Sequence, residues 1–306
     1  MTDVRPLKIV IAGASGFIGQ ALVAKLRAGG HDVFRLVRNV TDAPDAIAWN
    51  PAQRQLDPSA LQGADVVMNL AGENIGAGRW TAERRERILR SRVDATATIA
   101  EALARMTRPP AALINASAAG FYGDRGDEIL DESSPIGQGL LPEVCLAWET
   151  HAERAAKLGV RTVILRFGVV LAPQGGALQR MLPWFRLGLG GRLGDGRQWM
   201  SWIDREDAIS AIEFLMMSPG CSGAFNLVAP APVTNAIFAA ELAAAVHRPA
   251  VLPVPRWALR LALGRLADEA LLASTRVVPK KLAAAGYTFR HPEIGPAITT
   301  MLGGTT

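Results

Sequence analysis

Gly13-Ala14-Ser15-Gly16-Phe17-Ile18-Gly19 follows an apolar run at 7–12 and precedes 20–26, whose apolar residues recur at helical spacing. Strand, glycine turn, helix is the context that a dinucleotide-binding loop requires. Glycines let the backbone approach a pyrophosphate closely. The helix start then offers unpaired N–H groups and the positive end of a dipole. Gly13, Gly16 and Gly19 give the spacing G-x-x-G-x-x-G, with Ser15, Phe17 and Ile18 as further members of the candidate bed. The competing reading is an ordinary glycine-rich turn.

Working outward, the helix stops at Gly29-Gly30 and a second strand covers 32–37, which makes one βαβ unit. A cofactor with a free ribose 2′-hydroxyl usually meets an acidic residue at the end of this strand. Here Arg38 stands there, with Arg35 nearby, and Asp42 comes too late. Arginine favours a 2′-phosphate through its charge and its planar fork of donors. The expected cofactor is therefore NADP(H) rather than NAD(H), against the alternative of a solvated arginine at a strand end.

Residues 63–72 read as a buried parallel strand running into a turn, which places Leu70, Ala71 and Gly72 at the ligand edge of the sheet. A long helix at 81–106 carries Arg84, Arg85, Arg87, Arg90 and Arg92 against Glu83 and Glu86, which reads mostly as a solvated face with ion pairs one turn apart. A strand at 111–117 ends on Ser117 and leads into a polar loop containing Tyr122. A helix at 142–158 and a strand at 160–166 ending on Arg166 follow. Strands and helices alternate to about residue 171, so the expected fold is α/β. It is a Rossmann-type doubly wound parallel sheet (1–171) with a smaller, mainly helical C-terminal substrate domain (172–306), of which 200–228 packs back on the sheet.

With 306 residues, 49% of them hydrophobic, the chain can bury a large core. Two cysteines and four scattered histidines give no disulfide framework and no metal spacing, so no metal is expected and a reducing, cytoplasmic setting is. No signal peptide is visible and no apolar stretch reaches the ~18–20 residues of a membrane span. The nearest, 257–273, is interrupted by Arg260, Arg265, Asp268 and Glu269 and reads as a packing helix. The net charge of +5 is modest and suits a phosphate-rich small ligand better than nucleic acid. A small-molecule substrate is expected, without nucleic acid or membrane as partner, and the oligomeric state stays open.

The ordered segments resemble the extended short-chain dehydrogenase/reductase superfamily: the loop at 13–19, Asn69-Leu70-Ala71-Gly72, Ser117 through Tyr122-Gly123, and Trp202-Ile203-Asp204-Arg205-Glu206-Asp207. More narrowly, Glu73-Asn74-Ile75, Arg79-Trp80, Leu187-Gly188-Leu189-Gly190-Gly191 and Val278-Pro279-Lys280-Lys281-Leu282 resemble an atypical, epimerase-like subfamily of unassigned substrate. The resemblance implies that Arg92, and more weakly Arg87, face the cofactor. With Arg166 at the end of its strand they complete the cofactor candidates.

The chemistry of that superfamily usually rests on Tyr-x-x-x-Lys, and this chain has no such pair. Alignment on Glu153 puts Cys145 at the tyrosine position and Glu149 at the lysine position. Counting back from Tyr122 puts the usual catalytic serine at Ala118, one residue after Ser117. The candidate catalytic set is Ser117, Tyr122, Cys145 and Glu149. The function expected is an NADP(H)-binding, epimerase-like oxidoreductase acting on a small carbonyl or hydroxyl compound. The alternative is a non-catalytic NADP(H)-binding sensor or assembly protein.

Overall fold

The computed structural model describes residues 5–39, 42–250 and 252–303. The predicted domain limits at 1 and 306 lie outside them. The strands are β1 (Lys8–Ala12), β2 (Asp32–Val37), β3 (Ala46–Ala48), β4 (Val66–Asn69), β5 (Ala112–Ala118), β6 (Ile129–Leu130), β7 (Arg161–Phe167), β8 (Val169–Ala172), β9 (Trp199–Met200), β10 (Trp202–Asp204), β11 (Gly223–Leu227), β12 (Val233–Thr234) and β13 (Arg276–Val277). The helices are α1 (Phe17–Ala28), α2 (Ala82–Ala104), α3 (Leu140–Ala156), α4 (Gly176–Arg186), α5 (Arg205–Met217), α6 (Asn235–Ala245), α7 (Arg256–Leu263), α8 (Lys280–Ala284) and α9 (Ile294–Met301).

Seven parallel strands form the central sheet in the order β11-β7-β5-β4-β1-β2-β3. The order reverses at β1, so the loops after β1 and β4 open a crevice at the carboxyl ends of the strands. Both faces are buried, and that explains the continuous apolar runs. Ile9 and Ile11 of β1 face Leu22 and Leu26 of α1 and Ile209 and Ile212 of α5, whereas Val10 and Ala12 face Ile99 and Leu103 of α2. The two-residue repeat of a strand thus divides one apolar sequence between two cores.

Residues 200–228 bridge the halves of the molecule. β10 pairs with β8, α5 packs in the core beside α1, and β11 completes the sheet on β7. A separate core beyond the sheet joins Leu178 and Leu182 of α4, Phe238 and Leu242 of α6, and Ile298 of α9.

The stretch 257–273 is not one packing helix. Gly264, at φ +61°, ends α7, and a single π-helical turn follows at Ala267–Leu271. Of α7, Leu259 alone is buried.

Candidate functional site

Gly13 takes φ +79°, and a Cβ there would lie 2.6 Å from the Leu70 carbonyl carbon. A Cβ on Gly19 would lie 2.2 Å from the Gly13 carbonyl oxygen. These two positions bring the turn after β1 against the turn after β4, and α1 against the first of these turns. Gly16 is the N-cap of α1; no side chain caps this end and no acidic residue occupies its first turn. Its first amides therefore face outward with the positive end of the helix dipole behind them, an arrangement suited to an anion. Ser15 is exposed, and Phe17 lies against Gly175 and Gly176, with the Arg205 guanidinium 5.2 Å from its ring centre.

The turn after β4 is held from below. Asn69 accepts from the Ala71 amide at 3.1 Å and donates to Thr96 and Asn115, both at 2.8 Å. Gly72 lies on the guanidinium of Arg92: a Cβ there would be 3.2 Å from its Cζ. Arg92 donates to the carbonyls of Ile88 and Glu73 at 3.0 and 3.1 Å and lies 5.0 Å from the Trp148 ring centre. Burial pulls its pKa down, against the pull of Cys145 and Glu73. Arg87 is exposed and approaches Glu73 at 3.5 Å.

The two arginines of β2 have different surroundings. Arg35 is bound twice by Asp45, at 2.6 and 2.7 Å, and Asp45 also pairs with Arg27. The hydrogen bond from Arg35 leads the effects that hold the Asp45 carboxyl down at about 2. Arg38, beyond the end of the strand, is exposed at the same edge as the glycine turn.

The predicted catalytic residues meet at the other half of the sheet. Ser117 of β5, Arg166 of β7 and Asn226 of β11 stand abreast in register. Glu149 of α3 descends onto this row. Arg166 donates to both of its carboxylate oxygens, at 2.9 and 2.8 Å, and Ser117 Oγ donates at 2.6 Å. Arg166 also donates to the Tyr122 hydroxyl at 3.0 Å, and that hydroxyl donates to Asn226 Oδ1 at 2.7 Å. The Phe121 ring centre lies 3.5 Å from the guanidinium. Glu149 and Arg166 are 5% and 6% exposed, which makes this a buried pair rather than a surface bridge. Arg166, proposed from sequence as a cofactor contact, thus has Glu149 and Tyr122 as its partners in this structure.

Burial dominates the titration of the other members. It pushes the Cys145 thiol up to about 12, with the Glu149 charge adding to the rise. The sulfur lies 3.7 Å from the Ala118 carbonyl oxygen. Burial also raises the Tyr122 phenol, against the lowering effect of Arg166. At neutral pH both groups keep their protons.

Three residues at the site were given no role from sequence. Asn226 is a polar residue inside an apolar strand, and that contrast was its signal. Arg205 follows the Trp202-Ile203-Asp204 segment and flanks Phe17. Trp148 has a buried indole N–H without a hydrogen-bond partner among the described residues, next to Glu149 in sequence. Among those residues no cluster of His, Cys, Asp and Glu is placed to hold a metal ion, and no helix is long and apolar enough to cross a membrane.

Comparison with known proteins identifies the family and the fold. Residues 9–227 match the NAD dependent epimerase/dehydratase family, and 254–301 match a domain of unknown function, DUF1731. Epimerase family protein Mb2239 of Mycobacterium bovis is 45% identical over 290 residues, 95% of this chain and 96% of its own. The human epimerase family protein SDR39U1, solved with NADPH, superposes with a TM-score of 0.89 at 33% identity over 97% of this chain and 99% of that one. A nucleoside-diphosphate sugar epimerase from Corynebacterium glutamicum superposes with a TM-score of 0.82 at 37% identity, over 98% of this chain and 59% of the longer one. With a matching family model over more than half its length and relatives of this similarity along nearly all of it, the chain belongs to the NAD dependent epimerase/dehydratase family.

Proposed function

We propose that this protein binds NADP(H) and acts as an epimerase-like oxidoreductase on a small carbonyl or hydroxyl compound. The observation that carries the reading is the uncapped start of α1 behind Gly13, Gly16 and Gly19, with Arg38 exposed at the same edge. The pyrophosphate belongs on the loop, where Ser15, Phe17 and Ile18 follow the first glycine, and a 2′-phosphate belongs on Arg38. Leu70, Ala71 and Gly72 form the floor, with Arg92 beneath Gly72 and Arg87 farther out. The NADPH in the human relative's structure supports the choice of cofactor.

When bound, the nicotinamide supplies or accepts a hydride. The chain's own part is mainly to bind and orient. Ser117 presents a hydroxyl whose proton is already directed at Glu149, while Arg166 donates to both oxygens of that carboxylate. Cys145 and Tyr122 stay protonated at neutral pH and are not bases. The reading assigns a small-molecule substrate and a cytoplasmic setting, in keeping with two unpaired thiols.

Titration of NADPH and NADH against the protein tests it. NADPH is expected to bind at least ~10-fold more tightly than NADH, a preference of about 1.4 kcal/mol. Equal affinities would overturn the assignment. Oxidation of NADPH by any member of a panel of small carbonyl compounds would support turnover; tight binding with no turnover across the panel would remove it.

A second reading, a non-catalytic NADP(H)-responsive binding protein, has its own observation: Cys145 and Glu149 stand where Tyr and Lys are usual, and Glu149 is already bound by Arg166. It predicts partner recovery in a pull-down that changes with NADPH, and equal recovery with and without it would count against it.

A further inference from the structure

Six large apolar side chains of the C-terminal region stand in solvent: Trp184 (60% exposed), Leu187 (70%), Leu189 (50%), Leu252 (50%), Trp257 (69%) and Leu261 (68%). They lie on two segments, 184–197 and 247–265, that are laced together. Arg248 donates to the Arg186 carbonyl at 3.0 Å, the Val254 amide to the Arg192 carbonyl at 2.8 Å, and the Gly194 amide to the Val254 carbonyl at 2.8 Å. The apolar groups therefore form one neighbourhood rather than scattered exceptions.

Within α7 the exposure follows from helical geometry. Leu259 is the buried residue, and Trp257 and Leu261, two positions to either side, point away from it and share a face with each other. Arg256 and Arg260 border that face and are exposed. The helix turns Leu259 toward the protein, with Leu263 partly buried beside it, and Trp257 and Leu261 toward solvent.

Charge indicates what covers them. The two segments carry seven arginines against one carboxylate, Asp195, an excess of six in a chain whose net charge is +5. Arg256 and Arg260 each have one carboxylate within reach, Asp195 at 3.7 Å and Asp268 at 2.8 Å, in pairs that are about half exposed. Such pairs are weak. Among the described residues, Arg186, Arg192, Arg197, Arg248 and Arg265 have no carboxylate within 4.0 Å. So dense a positive charge opposes pairing of this face with its own copy. A nucleic acid would engage the arginines and leave the four leucines wet. An anionic bilayer surface takes both, with headgroups against the arginines and the tryptophans and leucines in the interfacial layer.

Against the expectation from sequence that no membrane is a partner, we propose that the face built from the end of α4, the loop after it and α7 docks this protein on anionic membrane surfaces as a peripheral, non-spanning contact. The test is co-sedimentation of the full chain with vesicles. Phosphatidylcholine containing about a third phosphatidylglycerol should capture it, pure phosphatidylcholine should not, and raising salt from ~0.1 to ~0.5 M should weaken capture at least tenfold. The double variant Trp257→Ser, Leu261→Ser should lose about tenfold in partitioning with an unchanged melting temperature, since both side chains are exposed. Failure to bind anionic vesicles would overturn the proposal, as would capture by the double variant equal to that of the unaltered chain. Tight, salt-sensitive binding to duplex DNA that ignores the double substitution would reassign the face to polyanions and overturn it as well.

Discussion

At the first βα turn, Gly16 and the opening amides of α1 have no side-chain cap, and Arg38 stands exposed nearby. Two to four strands away along the same sheet, Ser117, Glu149, Arg166, Tyr122 and Asn226 bond to one another and are all buried. The first region is shaped for a partner that it does not itself contain. The second has supplied its own partners. Polar groups that face a ligand gain their bonds only on binding, whereas a closed network contributes to the uniqueness of the fold whether or not anything binds.

The largest effect should come from opening the closed network. Glu149→Ala leaves the buried Arg166 guanidinium without its carboxylate and should lower unfolding stability by about 3–5 kcal/mol, measured by denaturant titration. Glu149→Leu with Arg166→Met should recover most of that loss, because an apolar pair of similar volume has no charge to desolvate. If Glu149→Ala is as stable as the unaltered chain, the network is not closed and the contrast fails.

Next in size is Gly13→Ala. It forces a side chain into φ +79° and against the Leu70 backbone. A cost of about 2–3 kcal/mol in stability is expected, together with loss of measurable NADPH binding by calorimetry. Retained affinity would mean that the turn is not the cradle.

Arg38→Ala should weaken NADPH about tenfold, or ~1.4 kcal/mol, and leave NADH unchanged. A parallel loss for both cofactors would reassign Arg38 to general electrostatics.

The smallest effect concerns Asp45. Its carboxyl is depressed to about 2 in the folded state, so its contribution is present above the ordinary carboxylate range and lost as pH falls toward that value. Asp45→Asn should reduce stability at pH 7 by less than about 1 kcal/mol, since solvent screens the pairs, and the difference should shrink in melts below pH ~4. A difference that grows on acidification would reverse the assigned sign.

The glycine turn was legible because two independent signals coincide there: glycine spacing and a switch from strand to helix periodicity. The choice between Arg35 and Arg38 was less so, because it turns on Asp45, a residue on another strand connection that closes on Arg35 only once β3 pairs with β2. Cys145 and Glu149 were named through the family resemblance, by aligning their helix on Glu153. The ion pair of Glu149 with Arg166 was not legible, because register across β5, β7 and β11 creates it, and no local pattern records which strands become neighbours. The helix α7 shows the opposite failure. Its leucines and tryptophan read as packing, yet their phase relative to Leu259 turns Trp257 and Leu261 outward.

The pairing of β11 with β7 has a bearing on how the chain is made. On an emerging polypeptide β7 is complete by residue 167, but the strand that covers its flank comes only at 223–227. Until then β7 is an open parallel edge beside a buried charge pair, the kind of surface that captures other chains. Asn226 also donates to the carbonyl of Val278, and its amide donates to Glu132, whose other oxygen accepts from the Lys281 amide. The last seal on the sheet is thus tied to residues synthesised near the end, so the interval between residues 167 and 281 is the nascent protein's window of exposure to chaperones and to aggregation.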